Sequence, residues 1–292
     1  MTATYNAKNQ QVGASYDADG NLSSVNGSSV GYTVENKMSS QTSSSYPWGV
    51  TLYGYDPWGK RVMKETNPDP NNYTGQYKPF WEFYFYTITG QRLVTMDCNN
   101  PNGNPIPSCW VVGENIYFGG KTLVSNGVYV VADRLGSVRA NTQGESFAYY
   151  PYGEERTTRP DGRDKFATYF RDGVGQDYAD QRYYNAGMGR FWSPDPGGVK
   201  TADPTDPGIW NRYAYVGGDP INYRDPTGTN RESPTFCDVY PDDPSCDSWY
   251  EPASGSDQAV VSKAEAPMSE EYAGLRKRSP GGCGEGCGAD RN

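Results

Sequence analysis

Short aromatic runs that end in a tight turn recur along this chain, and that recurrence constrains the fold more than any other feature. Tyr16-Asp17-Ala18-Asp19-Gly20-Asn21-Leu22 ends in a Gly-Asn turn leading into a strand-like run. Tyr53-Gly54-Tyr55-Asp56-Pro57-Trp58-Gly59-Lys60-Arg61-Val62 repeats the design with alternating aromatics, an Asp-Pro-x-Gly turn and an apolar-polar strand. Phe83 to Val94, Tyr129 to Val138 and Tyr149 to Glu154 repeat it again. Tyr at alternate positions covers one sheet face with a large ring, and Gly or Asn takes the positive φ that a tight hairpin needs. A lone hairpin cannot bury such a face, whereas stacked hairpins can. The pattern predicts an all-β chain of stacked β-hairpins forming a curved or spiral sheet. Asn67 to Tyr73 and Cys98 to Cys109 read as inserted surface loops, the second stapled.

Composition supports this and excludes other classes. With 35 Gly and 22 Pro the chain is too rich in turn formers for a helical bundle, and 14% aromatic residues is too many for disorder. There is no histidine, so Ser-His-Asp and Cys-His catalysis and histidine-ligated metal are excluded. Any chemistry must run on carboxylates, Tyr, Lys, Arg, Ser, Thr or Cys, and no cofactor or metal is expected. A net charge of −9 argues against nucleic acid or an anionic membrane as the main partner. No apolar stretch is long enough to span a membrane, and Met1 to Tyr5 lack the basic and apolar regions of a signal peptide. The expectation is therefore a chain that stays inside, or the C-terminal piece of a longer, exported parent.

The six Cys fall as three close pairs: Cys98 with Cys109, Cys237 with Cys246, and Cys283 with Cys287. Local pairing suits short-loop disulfides in an oxidising compartment; free thiols in a cytosolic protein are the alternative. Three regions follow: hairpins over 1–128, a second β region over 129–229 and a Cys-containing tail over 230–292. Asp-Pro pairs punctuate the second region as loops: Asp195-Pro196, Asp203-Pro204, Asp206-Pro207, Asp219-Pro220 and Asp225-Pro226. The tail carries 12 acidic and 6 basic residues but only three of the 25 Tyr. It is expected to be irregular, with one short helix over Ala264 to Lys277.

At this level of detail Tyr16-Asp17-x-x-Gly20-Asn21-Leu22 resembles the YD repeat, and the stretch from Tyr129 to Gly228 resembles the RHS repeat-associated core domain. The matching blocks run in the family's order: Asp133-x-Leu135-Gly136-Ser137, Tyr150-x-Tyr152-Gly153-Glu154, Arg182-Tyr183-Tyr184, Gly189-Arg190-Phe191-x-Ser193-Pro194-Asp195-Pro196, and Tyr213 to Gly228. The family includes teneurin-like YD shells and toxin-complex C proteins. The resemblance implies a β shell around a variable C-terminal segment, often a toxin. It also implies a core that plugs the shell and cuts the chain after its second Asp-Pro-x-Gly motif.

Carried onto this chain, the two carboxylates are Asp195 and Asp225, with Arg190 as an electrostatic partner and cleavage near Thr229-Asn230. Such chemistry needs a pair, because one carboxylate deprotonates water while the other, protonated, serves the carbonyl or the leaving amine. Asp225 lies 30 residues after Asp195, a longer interval than is usual in the family, and Thr229 stands where the family usually has Leu. Without the family, Asp-Pro-x-Gly is a β-turn, as Asp56-Pro57-Trp58-Gly59 is expected to be. Tyr-rich strands read first as sheet packing and second as a surface for protein or carbohydrate. Trp48, Trp58 and Trp81 read as core anchors, and Arg276-Lys277-Arg278 as a solvated charge run.

Two functions lead. One is the C-terminal part of a secreted or cell-surface shell protein that holds a segment and releases it by autoproteolysis. The other is a non-enzymatic structural or adhesive module in which both aspartates are turn residues. A small toxin in the tail is a third reading without a motif to support it. In each leading case the chain is expected to associate with itself or with a longer RHS shell partner through exposed sheet edges.

Overall fold

The computed structural model describes residues 3–25, 27–42, 49–67, 80–99, 108–118, 121–173, 175–198 and 210–234. Two compact units divide the chain, Met1–Val239 and Tyr240–Asn292. The second unit, and with it the expected helix over Ala264 to Lys277, lies outside the described residues. So do Cys237, Cys246, Cys283, Cys287 and Trp48.

The regular structure of the described residues is almost entirely antiparallel sheet. The first sheet holds β1 (Ser24–Val25), β2 (Ser28–Tyr32), β3 (Met38–Thr42), β4 (Val50–Tyr55), β5 (Arg61–Asn67), β6 (Phe80–Tyr86), β7 (Arg92–Asn99) and β8 (Ser108–Glu114). The second holds β9 (Ile116–Phe118), β10 (Lys121–Ser125), β11 (Val128–Ala132) and β12 (Val138–Asn141). The third holds β13 (Arg163–Asp164), β14 (Phe170–Gly173), β15 (Gln176–Ala179), β16 (Arg182–Asn185) and β17 (Arg190–Phe191). Within each sheet every strand pairs with its sequence neighbour, so the stacked hairpins are divided among three open sheets. Asn115 makes the first division: its N–H reaches the Leu93 carbonyl at 2.9 Å and its side-chain amide the Arg92 carbonyl at 3.1 Å. Its own side-chain oxygen accepts the Asn126 N–H at 2.8 Å.

One turn recurs with one chemistry. At Asp56 the side-chain Oδ1 accepts the N–H groups of Trp58 and Lys60 at 2.9 and 2.8 Å, and the main-chain carbonyl accepts that of Gly59 at 2.9 Å. Asp133 does the same for Leu135, Ser137 and Gly136. The fourth residue is left-handed at Gly59 (φ 79°) and Gly136 (φ 85°), and Asn36 fills that place after Thr33 (φ 61°). A short side-chain acceptor at the first position and Gly or Asn at the fourth therefore suffice to close each hairpin. The register of the paired strands shifts beside the turns, at Gly54/Tyr55 between β4 and β5 and at Phe85/Tyr86 between β6 and β7.

Tyrosine packs the interior. Tyr53, Phe170, Tyr178, Tyr183 and Trp192 form one core with Leu22, Val25, Val30 and Met38, joining the first sheet to the third. Tyr169, Tyr184, Phe191 and Tyr215 form a second core with Phe166 and Val216. Of the expected tryptophan anchors, Trp58 needs correction: it projects from its turn and is 79% exposed, whereas Trp81 is half-buried and, among the described residues, the fully buried tryptophan is Trp192. The turn tip gives Trp58 nothing to pack against. Arg61 is also fully buried, pairing with Asp172 and donating to the Tyr183 hydroxyl at 2.6 Å. Its guanidinium lies 4.4 Å from the Tyr178 ring centroid and 4.7 Å from that of Tyr84. This cage of rings and one carboxylate makes burying the cation affordable.

Cys98 and Cys109 form a disulfide directly across the β7–β8 pair, as their spacing predicts. Among the described residues, no helix is long and apolar enough to cross a membrane.

Candidate active site on a shared arginine

The third sheet and the loop after it bring two distant aspartates to one cation. Asp195 opens the turn that follows β17: its Oδ1 accepts the Gly197 N–H at 2.7 Å and its carbonyl that of Gly198 at 3.1 Å. Asp225 opens a second such turn, its Oδ1 accepting Thr229 N–H at 2.9 Å and Asn230 N–H at 3.1 Å, its carbonyl Gly228 N–H at 3.3 Å. In both, the cap occupies Oδ1 and leaves Oδ2 for other contacts.

Those two Oδ2 atoms converge on Arg182, the first residue of β16. Its Nη2 lies 3.4 Å from Asp195 Oδ2 and 3.6 Å from Asp225 Oδ2, so the sum of these distances bounds the separation of the two oxygens. Arg182 is itself buried, stacked 3.6 Å above the Phe191 ring centroid, with its Nη1 donating to the Arg212 carbonyl at 3.0 Å. Its Nε donates to the Gly228 carbonyl. The Tyr169 hydroxyl donates to the Asp225 carbonyl from below.

The two acids differ in environment. The Asp195 side chain keeps 17% of its surface in solvent and that of Asp225 only 5%. Burial pushes the Asp225 carboxyl up to about 6, against the pull of Arg182 and of the Asn230 and Thr229 N–H groups, with Asp195 adding a smaller upward push. A buried acid that protonates near neutrality beside a wetter carboxylate is the asymmetry that acid–base chemistry on a peptide requires.

Arg190 lies elsewhere. Its guanidinium stacks over the Tyr5 and Tyr213 rings, at 4.7 and 4.9 Å from their centroids. The cation between the carboxylates is Arg182, which sequence reasoning passed over as part of the Arg-Tyr-Tyr strand. Its strand position gave no sign of it: it meets Asp225, 43 residues later, only because β15–β16 packs under the second turn, Gln181 N–H meeting the Thr227 carbonyl at 3.0 Å. Residues 199–209, where the longer interval between the motifs lies, are outside the described residues. Among the described residues no group of three or more Cys, Asp or Glu is arranged to hold a metal ion.

No family model matches the chain. It is 23% identical over 245 residues to the tRNA3(Ser)-specific nuclease WapA of Bacillus spizizenii, a match covering 78% of this chain and 10% of that protein. The fold is similar to part of the crystal structure of TcdB2-TccC3-Cdc42, with a TM-score of 0.51 and 19% identity over 74% of this chain and 11% of that one. It is similar in the same way to TcdB2-TccC3, with a TM-score of 0.51 and 17% identity over 73% of this chain and 11% of that one. The chain thus spans about a tenth of the length of these proteins. At this identity the likenesses to the solved structures show a shared fold over about three quarters of the chain.

Proposed function

We propose that this chain is the C-terminal part of a secreted or cell-surface RHS-type shell protein that holds a variable C-terminal segment and releases it by aspartyl self-cleavage near Thr229-Asn230. In this reading residues 1–128 are hairpin shell, 129–229 the core domain and 230–292 the released segment. The observation that carries it is the convergence of Asp195 and Asp225 on Arg182 beside the backbone just past the second motif. Asp195, the wetter carboxylate, activates water; Asp225, the buried one, is the acid. The likeness to a nuclease toxin and to toxin-complex chains agrees with a role in holding or delivering another segment.

The test is the intact mass of the purified chain beside Asp195→Asn and Asp225→Asn. Cleavage near residue 229 that both substitutions abolish supports the reading. The rate should rise as pH falls from 8 toward 6, because only protonated Asp225 can serve the leaving amine and its carboxyl titrates at about 6. A chain that stays uncut in all three proteins favours the structural module. One observation favours that second reading: the caps at Asp195 and Asp225 are the same turn chemistry that closes the hairpins at Asp56 and Asp133.

A protein partner fits either reading. Strand β8 is an edge of the first sheet and leaves Trp110, Val111 and Val112 exposed. Exposed apolar edges invite strand pairing with a second copy or a longer shell chain. Light scattering at high concentration should detect association; a strictly monomeric particle counts against it.

A further inference from the structure

We propose that Arg190 and the tyrosine-walled cavity beside it form a binding site for a small carboxylate that carries a flat apolar body. Such a site is independent of any cleavage at the second turn. Five arginines are buried among the described residues: Arg61, Arg92, Arg171, Arg182 and Arg190. The first four each reach a carboxylate, at Asp172, Asp164, Asp177 and Asp195. Arg190 is only 5% exposed, yet among the described residues it meets no carboxylate. Its Nη2 donates to the Asn9 carbonyl, its guanidinium lies over the Tyr5 and Tyr213 rings, and its buried Nε has no hydrogen-bond partner. A buried cation without a counter-charge is costly to hold, and an anion entering beside it offsets that cost.

The cavity supplies room and selectivity. Its volume is about 430 Å³, within the roughly 300–1,000 Å³ typical of small-molecule sites. Tyr5, Tyr150, Tyr152 and Met188 line it together with Arg190. Two contacts hold that wall in place. Gly189 is left-handed at φ 66°, and a Cβ there would meet the Tyr152 ring at 3.0 Å, so ring and turn touch. The Tyr152 hydroxyl donates to the Gly218 carbonyl at 3.1 Å. Glu154, the acid on the wall, is exposed, and its charge disfavours a second negative charge on the ligand, so a carboxylate fits better than a phosphate. A guanidinium recognises a carboxylate through parallel N–H bonds, and the tyrosine rings cover the apolar body.

Isothermal titration of the full chain with phenylacetate, phenylacetamide and acetate tests this. Phenylacetate should bind saturably at one site. Phenylacetamide has the same ring without the charge, and acetate has the charge without the ring; each should bind roughly tenfold more weakly. No saturable binding of phenylacetate overturns the site. Equal binding of the amide overturns the role of the cation, and equal binding of acetate overturns that of the rings.

Arg190→Gln keeps a polar side chain and removes the charge, and phenylacetate binding should fall roughly tenfold or more. A folded Arg190→Gln that binds like the parent overturns the assignment. Should that variant not fold, Tyr150→Ala decides, because its ring is 52% exposed and the substitution leaves the core intact. Tyr150→Ala should weaken phenylacetate roughly threefold or more, whereas Tyr129→Ala, which removes an exposed ring on β11 outside the cavity, should leave binding unchanged. Parent-like binding by Tyr150→Ala, or an equal loss in both variants, overturns the location of the site.

Discussion

The turns Asp56–Gly59 and Asp225–Gly228 have the same Asp-Pro-x-Gly sequence, and only the second lies beside another carboxylate and a buried arginine. Each aspartate caps the amide four residues on, at 2.8 Å for Lys60 and 2.9 Å for Thr229, and each ends on a left-handed glycine. What covers them differs. The first turn carries Trp58 out into solvent, whereas Asp225 is buried beside Arg182 and a second carboxylate. Four residues suffice to make a turn, but a shifted carboxyl needs burial and neighbours supplied from elsewhere.

The largest expected effect that separates the two turns is steric. Gly228→Ala forces a Cβ against the fixed Ala179 carbonyl, whereas Gly59→Ala meets the flexible ends of Gln181 and Lys37 at 2.9 Å. Gly228→Ala should cost roughly 3 kcal/mol or more and Gly59→Ala about 1 kcal/mol, by thermal or urea unfolding. Equal costs would mean the second turn is no more constrained than the first. Next comes the staple in the hairpin region. Cys98 and Cys109 are separated by 11 residues, and opening such a loop should cost about 3 kcal/mol. The Cys98→Ser, Cys109→Ser double variant should lower the melting temperature while leaving any cleavage at the second turn unchanged. A matched fall in cleavage would tie the first sheet to the site.

A third prediction concerns pH. The folded state binds the Asp225 proton more tightly than the unfolded chain, so this contribution to stability is full below about pH 4 and is lost as pH rises through about 6. The loss is on the order of 2–3 kcal/mol. Asp97 is also pushed up to about 6, by burial and then by Glu82, so it titrates in the same window and the test is a difference between proteins. Asp225→Asn should flatten the decline between pH 4 and 6 relative to the parent protein. Identical profiles would erase the distinction between the two turns. The smallest effect is the cap itself: Asp56→Ala removes the acceptor shared by the Trp58 and Lys60 N–H groups in an exposed turn and should cost about 1 kcal/mol.

Much of the fold was legible because the hairpins are local. Asp, Asn or Thr five residues before a strand, with Gly or Asn at the turn's end, dictates where the chain reverses, and the alternating tyrosines dictate which residues face inward. Cys98 and Cys109 could be paired for the same reason. Trp58 was misread because an aromatic ring at a turn tip looks the same in sequence as one in a strand. Asp195 and Asp225 were found through motif resemblance, but the arginine between them was not, since two arginines occur in the matched blocks and nothing local distinguishes Arg182 from Arg190.

The amino-acid sequence by itself determined the reversals of the chain, its all-β character and the short disulfide, because each depends on residues close together along the backbone. Tertiary structure alone decided which aspartate is buried, which arginine joins the pair and which peptide the guanidinium touches. Those outcomes depend on how β15–β16 packs against a loop more than forty residues further on, and burial, which sets the charge of Asp225, is a property of that packing.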